Sequence, residues 1–218
     1  MRAEEFHVTV TAGRMSHIHF TLLGVGAMNS PRYAPAGLLV EDDHHRVMLD
    51  GGPPAEPRGK LDAWLVTDQN GELMREIRRL ARAKGLEPRV EAYVRAGLTI
   101  EPHRVVHTSH ATFGYLVKAP RRKVVWAPEF FEFPDWAAGA DLMFAEAAGW
   151  NRPIRFRGGV GGHASVLDVA GIAQERGVKR LVFAHIGRPT IKALDAGARA
   201  TFGEFGADGE VYLPAPPE

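Results

Sequence analysis

The segment "SVLDVAGIAQERGVKRLVFAHI", Ser165 to Ile186, restricts the fold most strongly. Its first half begins with a serine suited to capping and carries small and apolar residues at helical spacing, so it predicts a helix. The second half, "VKRLVFAHI", is an apolar run typical of a buried strand. The preceding segment "ADLMFAEA", residues 140–147, predicts another strand. Strand, helix and strand in this order indicate an α/β fold.

The chain before this segment is predicted to be mainly strands. Alternating apolar residues in "FHVTVTAG", "HIHFTLLGVG", "GLLVED" and "RVMLDGG" predict a β-meander. The amphipathic "GELMREIRRLARAKGL", residues 71–86, predicts the first helix. Further strands are predicted in "VEAYVRAGLTI", "HRVVHT", "FGYLVKA" and "KVVWAPE", with "APRRK" as a hairpin turn. The order fits two sheets packed face to face with helices outside, in one domain over residues 1–218.

The composition limits the classes of function. The 218 residues include 27 basic and 26 acidic side chains, so net charge favours neither nucleic acid nor an anionic membrane as a partner. There is no cysteine, which excludes thiolate ligands and thiol catalysis. The N-terminus lacks the pattern of a leader and no long apolar run follows, so we expect a cytoplasmic protein. A small-molecule substrate or ligand is the expected partner, and the oligomeric state, a homo-oligomer included, stays open.

Histidines and glutamates at predicted strand ends are the candidates for chemistry. They are His107, His110, Glu129, Glu146, His163 and His185. A rigid scaffold presents side chains to a cleft from strand ends and glycine loops. Imidazole and carboxylate sets suit Zn, Mn or Fe, which lower the pKa of bound water and generate a hydroxide nucleophile. Taken singly, each has a plainer explanation, because a histidine at a strand end is often a satisfied edge residue.

Six segments together resemble the metallo-β-lactamase superfamily, and within it the branch of ribonuclease Z and the cyclic phosphodiesterase of the carbon–phosphorus pathway. They are "FTLLGVGAMNSPRYAPAGLLV", "RVMLDGG", "HATFGYLV", "RKVVWAPE", "LMFAEA" and "GGHASVLDVAGIAQERGVKRLVFAHI", in the order of the family. They extend from Phe20 to His185. The resemblance implies a four-layer αββα sandwich with a two-metal cleft between the sheets.

The resemblance also implies roles for individual residues. Asp50 matches a structural carboxylate, and His185 matches the late metal ligand. His163 matches a loop histidine that can act as a general acid. Glu129 stands where the family has an aspartate that bridges both metals.

The lone histidine ligand of the family has two candidates in this chain. His107 lies one residue further from Phe113 than the usual spacing, and His110 competes for the same position. The sequence leaves this choice open.

The segment "LVTDQNGEL", Leu65 to Leu73, departs from the family. A His-x-His-x-Asp-His motif is expected here, but Asp68 and Asn70 replace the two leading histidines. Glu72 replaces the aspartate, and Leu73 replaces the last histidine. A plainer explanation of Asp68 is that it caps the helix that follows.

These replacements predict two unequal metal positions. The first has Asp68, Asn70 and either His107 or His110. Its affinity should be low because asparagine is a poor ligand for transition metals. The second has Glu72, Glu129 and His185. This set of one imidazole and two carboxylates suits one Zn, Mn or Fe ion, so the cofactor is either one divalent metal or none.

Two hypotheses about function follow. The first is a metal-dependent hydrolase of phosphoester or similar bonds, in which Glu129 and His185 hold the ion and His163 protonates the leaving group. The side chains expected to meet an anionic substrate are Asn70, Arg155 and Arg157. The alternative is a non-catalytic member of the fold that binds a small ligand or a protein partner without metal. Metal-free acid/base chemistry is a third, less favoured, hypothesis.

Overall fold

The computed structural model describes residues 18–119 and 122–213. The strands are β1 (His19–Gly24), β2 (Gly37–Glu41), β3 (Arg46–Asp50), β4 (Ala63–Leu65), β5 (Tyr93–Arg95), β6 (Leu98–Val105), β7 (Thr112–Ala119), β8 (Arg122–Ala127), β9 (Leu142–Ala147), β10 (Ile154–Arg155), β11 (Gly162–His163), β12 (Leu181–Ile186), β13 (Glu204–Phe205) and β14 (Val211–Tyr212). The helices are α1 (Met74–Ala83), α2 (Val166–Glu175) and α3 (Arg188–Asp195). The strand predicted in "FHVTVTAG" lies outside the described residues.

Two mixed sheets form the framework. The first has the strand order β14-β1-β2-β3-β4 and is antiparallel except for the β3–β4 pair. The second has the order β13-β12-β9-β8-β7-β6-β5, with parallel pairing from β8 to β13 and antiparallel pairing from β5 to β8. Strands β10 and β11 form a separate ribbon.

Apolar side chains on both faces of the sheets produce the four layers. Between the sheets, Phe20 of β1 packs against Phe144 of β9, with ring centroids 6.2 Å apart, and Phe144 contacts Trp126 of β8. On the outer face of the first sheet, α1 packs Ile77 in a cluster with Trp64. Burial of such a side chain contributes about 2 kcal/mol. The predicted αββα sandwich is confirmed.

Serine and proline start signals precede α2 and α3, whereas α1 begins after Leu73 without a side-chain cap, so the explanation of Asp68 as the cap of this helix is wrong. The helix predicted in residues 71–86 is α1, and α2 is capped by Ser165, whose Oγ accepts the Asp168 N–H at 3.2 Å. Helix α3 was not predicted, although Pro189 in its first turn is a common start signal.

The segment "HRVVHT" is not a separate strand, because β6 continues from Leu98 and ends at Val105. Within the described ranges no helix is long and apolar enough to cross a membrane.

Asp50, at the end of β3, connects the two sheets. Its Oδ1 accepts the N–H and the hydroxyl of Thr67 at 2.7 and 3.0 Å, and its Oδ2 accepts Trp126 Nε1–H at 2.7 Å. Its backbone is left-handed, with a φ of 53°. Burial raises the pKa of Asp50 to about 6, even though these donors favour the ionised form.

The substitution Asp50→Ala is expected to lower the free energy of unfolding by about 3 kcal/mol. Three donors would lose their acceptor, and each costs about 1 kcal/mol when left unsatisfied. Asp50→Asn is the matched control, since asparagine tolerates the left-handed backbone and keeps one acceptor oxygen. Urea unfolding measures both. A change below about 0.5 kcal/mol for Asp50→Ala, the range of ordinary surface substitutions, would contradict this connection.

Candidate functional site

Glu129 lies between two imidazole rings. Its Oε1 is 2.8 Å from His185 Nε2, and its Oε2 is 3.1 Å from His107 Nε2. Glu129 follows β8, His107 follows β6 and His185 lies near the end of β12, and these three strands end at the same edge of the second sheet, which brings the residues together. His185 has a φ of 60°, an uncommon conformation that costs about 1 kcal/mol and that surrounding contacts must maintain.

Glu146, at the end of β9, holds the histidines in place from the buried side. Its oxygens accept Nδ1–H of His163 at 2.8 Å and Nδ1–H of His185 at 3.1 Å. They also accept the N–H groups of Phe130 and Ala148, at 3.2 and 2.8 Å. The side chain is fully buried. Burial alone would raise the pKa of Glu146, but the two histidines outweigh it and lower this pKa to about 2.

The partners of Nδ1 fix the tautomers of His107 and His185. His107 Nδ1 is 2.8 Å from the carbonyl oxygen of Gly162, which can only accept, and His185 Nδ1 donates to ionised Glu146. A neutral ring would therefore point the lone pair of Nε2 at the carboxylate of Glu129, which is repulsive. Each of the two contacts consequently requires a proton or another cation.

The pKa values have the directions that this requirement predicts. Burial lowers the pKa of His185, but Glu129 and Glu146 outweigh it and raise this pKa to about 10. The pKa of His107 is also raised, because Glu129 opposes the effect of burial. Burial would raise the pKa of Glu129, yet His185 and His107 hold it well below its ordinary value.

One group of three among the described residues has ligand atoms that all lie within 4.8 Å of one another. It consists of Glu146, His163 and His185, and it could hold a metal ion. Hydrogen bonds already join Glu146 to the Nδ1 atoms of both rings. The group is therefore a hydrogen-bonded cluster centred on the buried carboxylate of Glu146.

The first metal position of the family does not fit a transition metal here. Asp68 Oδ2 contacts His110 Nε2 at 2.7 Å, and Asp68 Oδ1 accepts the N–H of Asn70 at 2.7 Å. Asn70 is exposed. His107 contacts Glu129, whereas His110 contacts Asp68.

The second metal position has donors that suit one ion. Glu72, Glu129 and His185 line an open cleft, together with Leu73 in place of a histidine. The cleft holds about 90 Å³, enough for several water molecules or a small anion. One imidazole and two carboxylates are a suitable donor set for a single divalent metal. These donor types suit one ion, but among the described residues only Glu146, His163 and His185 have ligand atoms that all lie within 4.8 Å of one another, so Glu72, Glu129 and His185 are not a closed ligand set here.

The predicted substrate-binding arginines lie away from this cleft. The Arg155 guanidinium lies 4.8 Å from the centre of the Phe131 ring, and Arg157 is in a short 3-10 turn. Neither residue, nor Asn70, is among those that line the cleft.

Two contacts of the site gave no signal in the sequence. One is the carbonyl of Gly162, which contacts His107 Nδ1. Every residue type has the same backbone carbonyl, so the sequence does not show which one accepts this hydrogen bond. The other is the ring of Phe156, whose centroid lies 5.4 Å from that of His107 and 5.3 Å from that of His163. The glycine loop that precedes His163 is closely packed: a Cβ on Gly161 would lie 2.1 Å from the His107 carbonyl oxygen.

The stability of chelator-treated protein is expected to depend on pH through this cluster. The pKa of His185 rises from 6.5 to about 10 on folding, so its contribution is complete below pH 6.5 and is lost as pH rises through 10. The pKa of Glu146 falls from 4.5 to about 2, so its contribution is complete above pH 4.5 and is lost toward pH 2. Urea unfolding over this range should give maximal stability between the two ordinary values. Glu146→Gln should flatten both slopes, and unchanged slopes would contradict the assignment.

The chain has relatives in sequence and in structure. Residues 52–186 match the family model of the beta-lactamase superfamily domain. No curated protein matches the chain in a sequence search. A diphosphatase from the PhnP family is 18% identical with a TM-score of 0.66, over 90% of this chain and 96% of that one. Zinc-bound PqqB from Methylobacterium extorquens is 14% identical with a TM-score of 0.65, over 89% and 99%.

The short form of human tRNase Z is 13% identical with a TM-score of 0.66, over 91% of this chain and 100% of that one. At these identities the three structures show a shared fold. The family model, however, covers more than half of the chain. The protein therefore belongs to the beta-lactamase superfamily and has the metallo-β-lactamase fold.

Proposed function

We propose that the protein is a hydrolase of phosphoester or similar bonds that works through a remodelled site with one metal ion. The observation that carries this proposal is the position of Glu129 at an open cleft, between two imidazoles whose Nδ1 atoms are both engaged. Such anchoring directs Nε2 at a cation, as in metal-binding histidines. The diphosphatase and the tRNase that share the fold support the substrate class.

The residues that would hold the ion are His185 and Glu129, whose facing atoms are 2.8 Å apart, and Glu72, which lines the same cleft and would have to move closer to complete the set. When bound, a Zn, Mn or Fe ion supplies a hydroxide nucleophile by lowering the pKa of bound water. His107 contacts the other oxygen of Glu129 and carries a proton there, so it keeps the carboxylate oriented. The bound ion and protonated His107 would make this side of the cleft positive, so that it attracts an anionic substrate.

His163 is the group that would protonate the leaving group. Its Nδ1 donates to Glu146, so Nε2 is the atom that can gain or release a proton. No other described residue accepts from or donates to Nε2 at hydrogen-bond distance, and the ring is partly exposed. Stacking on His185, with centroids 5.2 Å apart, holds the ring beside the cation position.

The second candidate function is binding of a small ligand without catalysis. Two observations favour it: Asp68 is paired with His110, and Leu73 presents an apolar side chain where the family has a ligand. A protein of this kind would use the charged cleft to hold an anion.

Elemental analysis of protein purified without chelator, together with turnover of bis-p-nitrophenyl phosphate in Mn or Zn, tests the first proposal. We expect one metal per chain. His185→Ala should lose metal and turnover, whereas His163→Ala should keep the metal and lose about 10²-fold in kcat. His110→Ala is the matched control and should change neither. Absence of both metal and turnover in the unaltered protein would refute the proposal.

A restored motif separates the two functions. The combined changes Asp68→His, Asn70→His, Glu72→Asp and Leu73→His supply the ligands that the family uses. If the unaltered protein already binds one ion, the restored protein should bind two. Metal uptake by the restored protein alone would instead support the non-catalytic function.

A further inference from the structure

A second cavity lies beside the site and is mostly apolar. It has a volume of about 310 Å³, and its walls are formed by three phenylalanines after β8 and by one face of α2. These side chains are Phe130, Phe131, Phe133, Val169 and Ile172. A cavity of about 150 Å³ accepts benzene. This one therefore has room for an aromatic ring with a short chain attached.

The walls of the cavity are held in place. Phe130 is fully buried, its N–H donates to Glu146, and its carbonyl accepts the Ala164 N–H at 2.8 Å. The rings of Phe130 and Phe133 pack edge to face, with centroids 6.0 Å apart. The cavity is therefore formed before a ligand binds, which lowers the entropic cost of binding.

The charged residues that line the cavity are both acidic. They are Glu132 and Asp168, and both are exposed. Asp168 accepts the hydroxyl of Ser165 at 2.6 Å, so its carboxylate is fixed at the start of α2. Arg155 lies over the ring of Phe131 and is not among the lining residues. The charged side chains of the lining therefore favour a ligand with a positive charge over an anion.

We infer that this cavity binds a small apolar ligand that carries one positive charge, such as an arylalkylamine. The ring would contact Phe131, Phe133 and Ile172, and the ammonium group would lie at Glu132 and Asp168. The cleft of Glu129 and His185 is proposed to attract an anion, whereas this cavity is lined by carboxylates, so the two sites select opposite charges. The inference stands whether or not the protein is a hydrolase.

Titration of the full chain with benzylamine, benzyl alcohol and phenylacetate, followed by amide NMR shifts, tests this inference at neutral pH. The three probes share a ring and differ in charge. We expect benzylamine to bind most tightly and to shift the amides of Phe131, Ala164 and Val169. Benzyl alcohol should bind more weakly, and phenylacetate should not shift these amides.

Two variants locate the binding. Ile172→Phe fills part of the cavity and should weaken benzylamine binding at least about tenfold, because even a change of one methylene in an apolar pocket can alter binding by about this factor. Glu132→Gln should weaken it about threefold, as expected for an exposed charge pair. Leu167→Phe and Glu175→Gln are the controls on α2, outside the cavity lining, and should have no effect. Equal binding of all three probes, absence of shifts at millimolar benzylamine, or full affinity in Ile172→Phe would overturn the inference.

Discussion

The site depends on the buried carboxylate of Glu146. An ionised group without solvent is costly unless donors surround it, and Glu146 receives four: two backbone N–H groups and two imidazoles. The same four contacts fix the start of the loop after β8, the orientation of His163 and the tautomer of His185. One residue at the end of β9 thus determines which nitrogen of His185 faces the cleft.

The length of Glu129 explains how the rest of the site differs from that of the family. A glutamate is one methylene longer than the aspartate expected at this position, and its two oxygens contact His107 and His185 directly. On the His107 side, Asp68 has turned to His110 and contributes nothing to the cation position. On the His185 side, Glu72 and open cleft remain. The two halves of the site therefore differ: direct contacts fill the His107 side, whereas the His185 side opens to the cleft.

Much of the architecture could be predicted from the sequence, because the period of apolar residues reports burial directly. The meander of β1 to β3, the helices α1 and α2, and the strand that carries His185 were all visible in this way. Helix α3 was missed because its apolar pattern is short and its start signal is a Gly-Arg-Pro turn. The extent of β6 was also misjudged, since the polar residues and the proline of "EPHR", residues 101–104, interrupt its apolar pattern.

The candidate site was predictable in residue types but not in pairing. The position of His107, Glu129, Glu146 and His185 at strand ends identified them as candidates. Sequence spacing could not show which of His107 and His110 contacts Glu129, because this depends on the path of the loop after β6. The contact of His107 with the Gly162 carbonyl joins residues 55 positions apart. Backbone acceptors and long-range packing of this kind carry no local signature.

Anomalous scattering from crystals of the protein soaked in Zn or Mn tests the central claim most directly. The account predicts one peak, next to His185 Nε2 and a Glu129 oxygen, with His107 still paired to the other oxygen. Two peaks on either side of Glu129, or a single peak bound by Glu146 and His163, would contradict it.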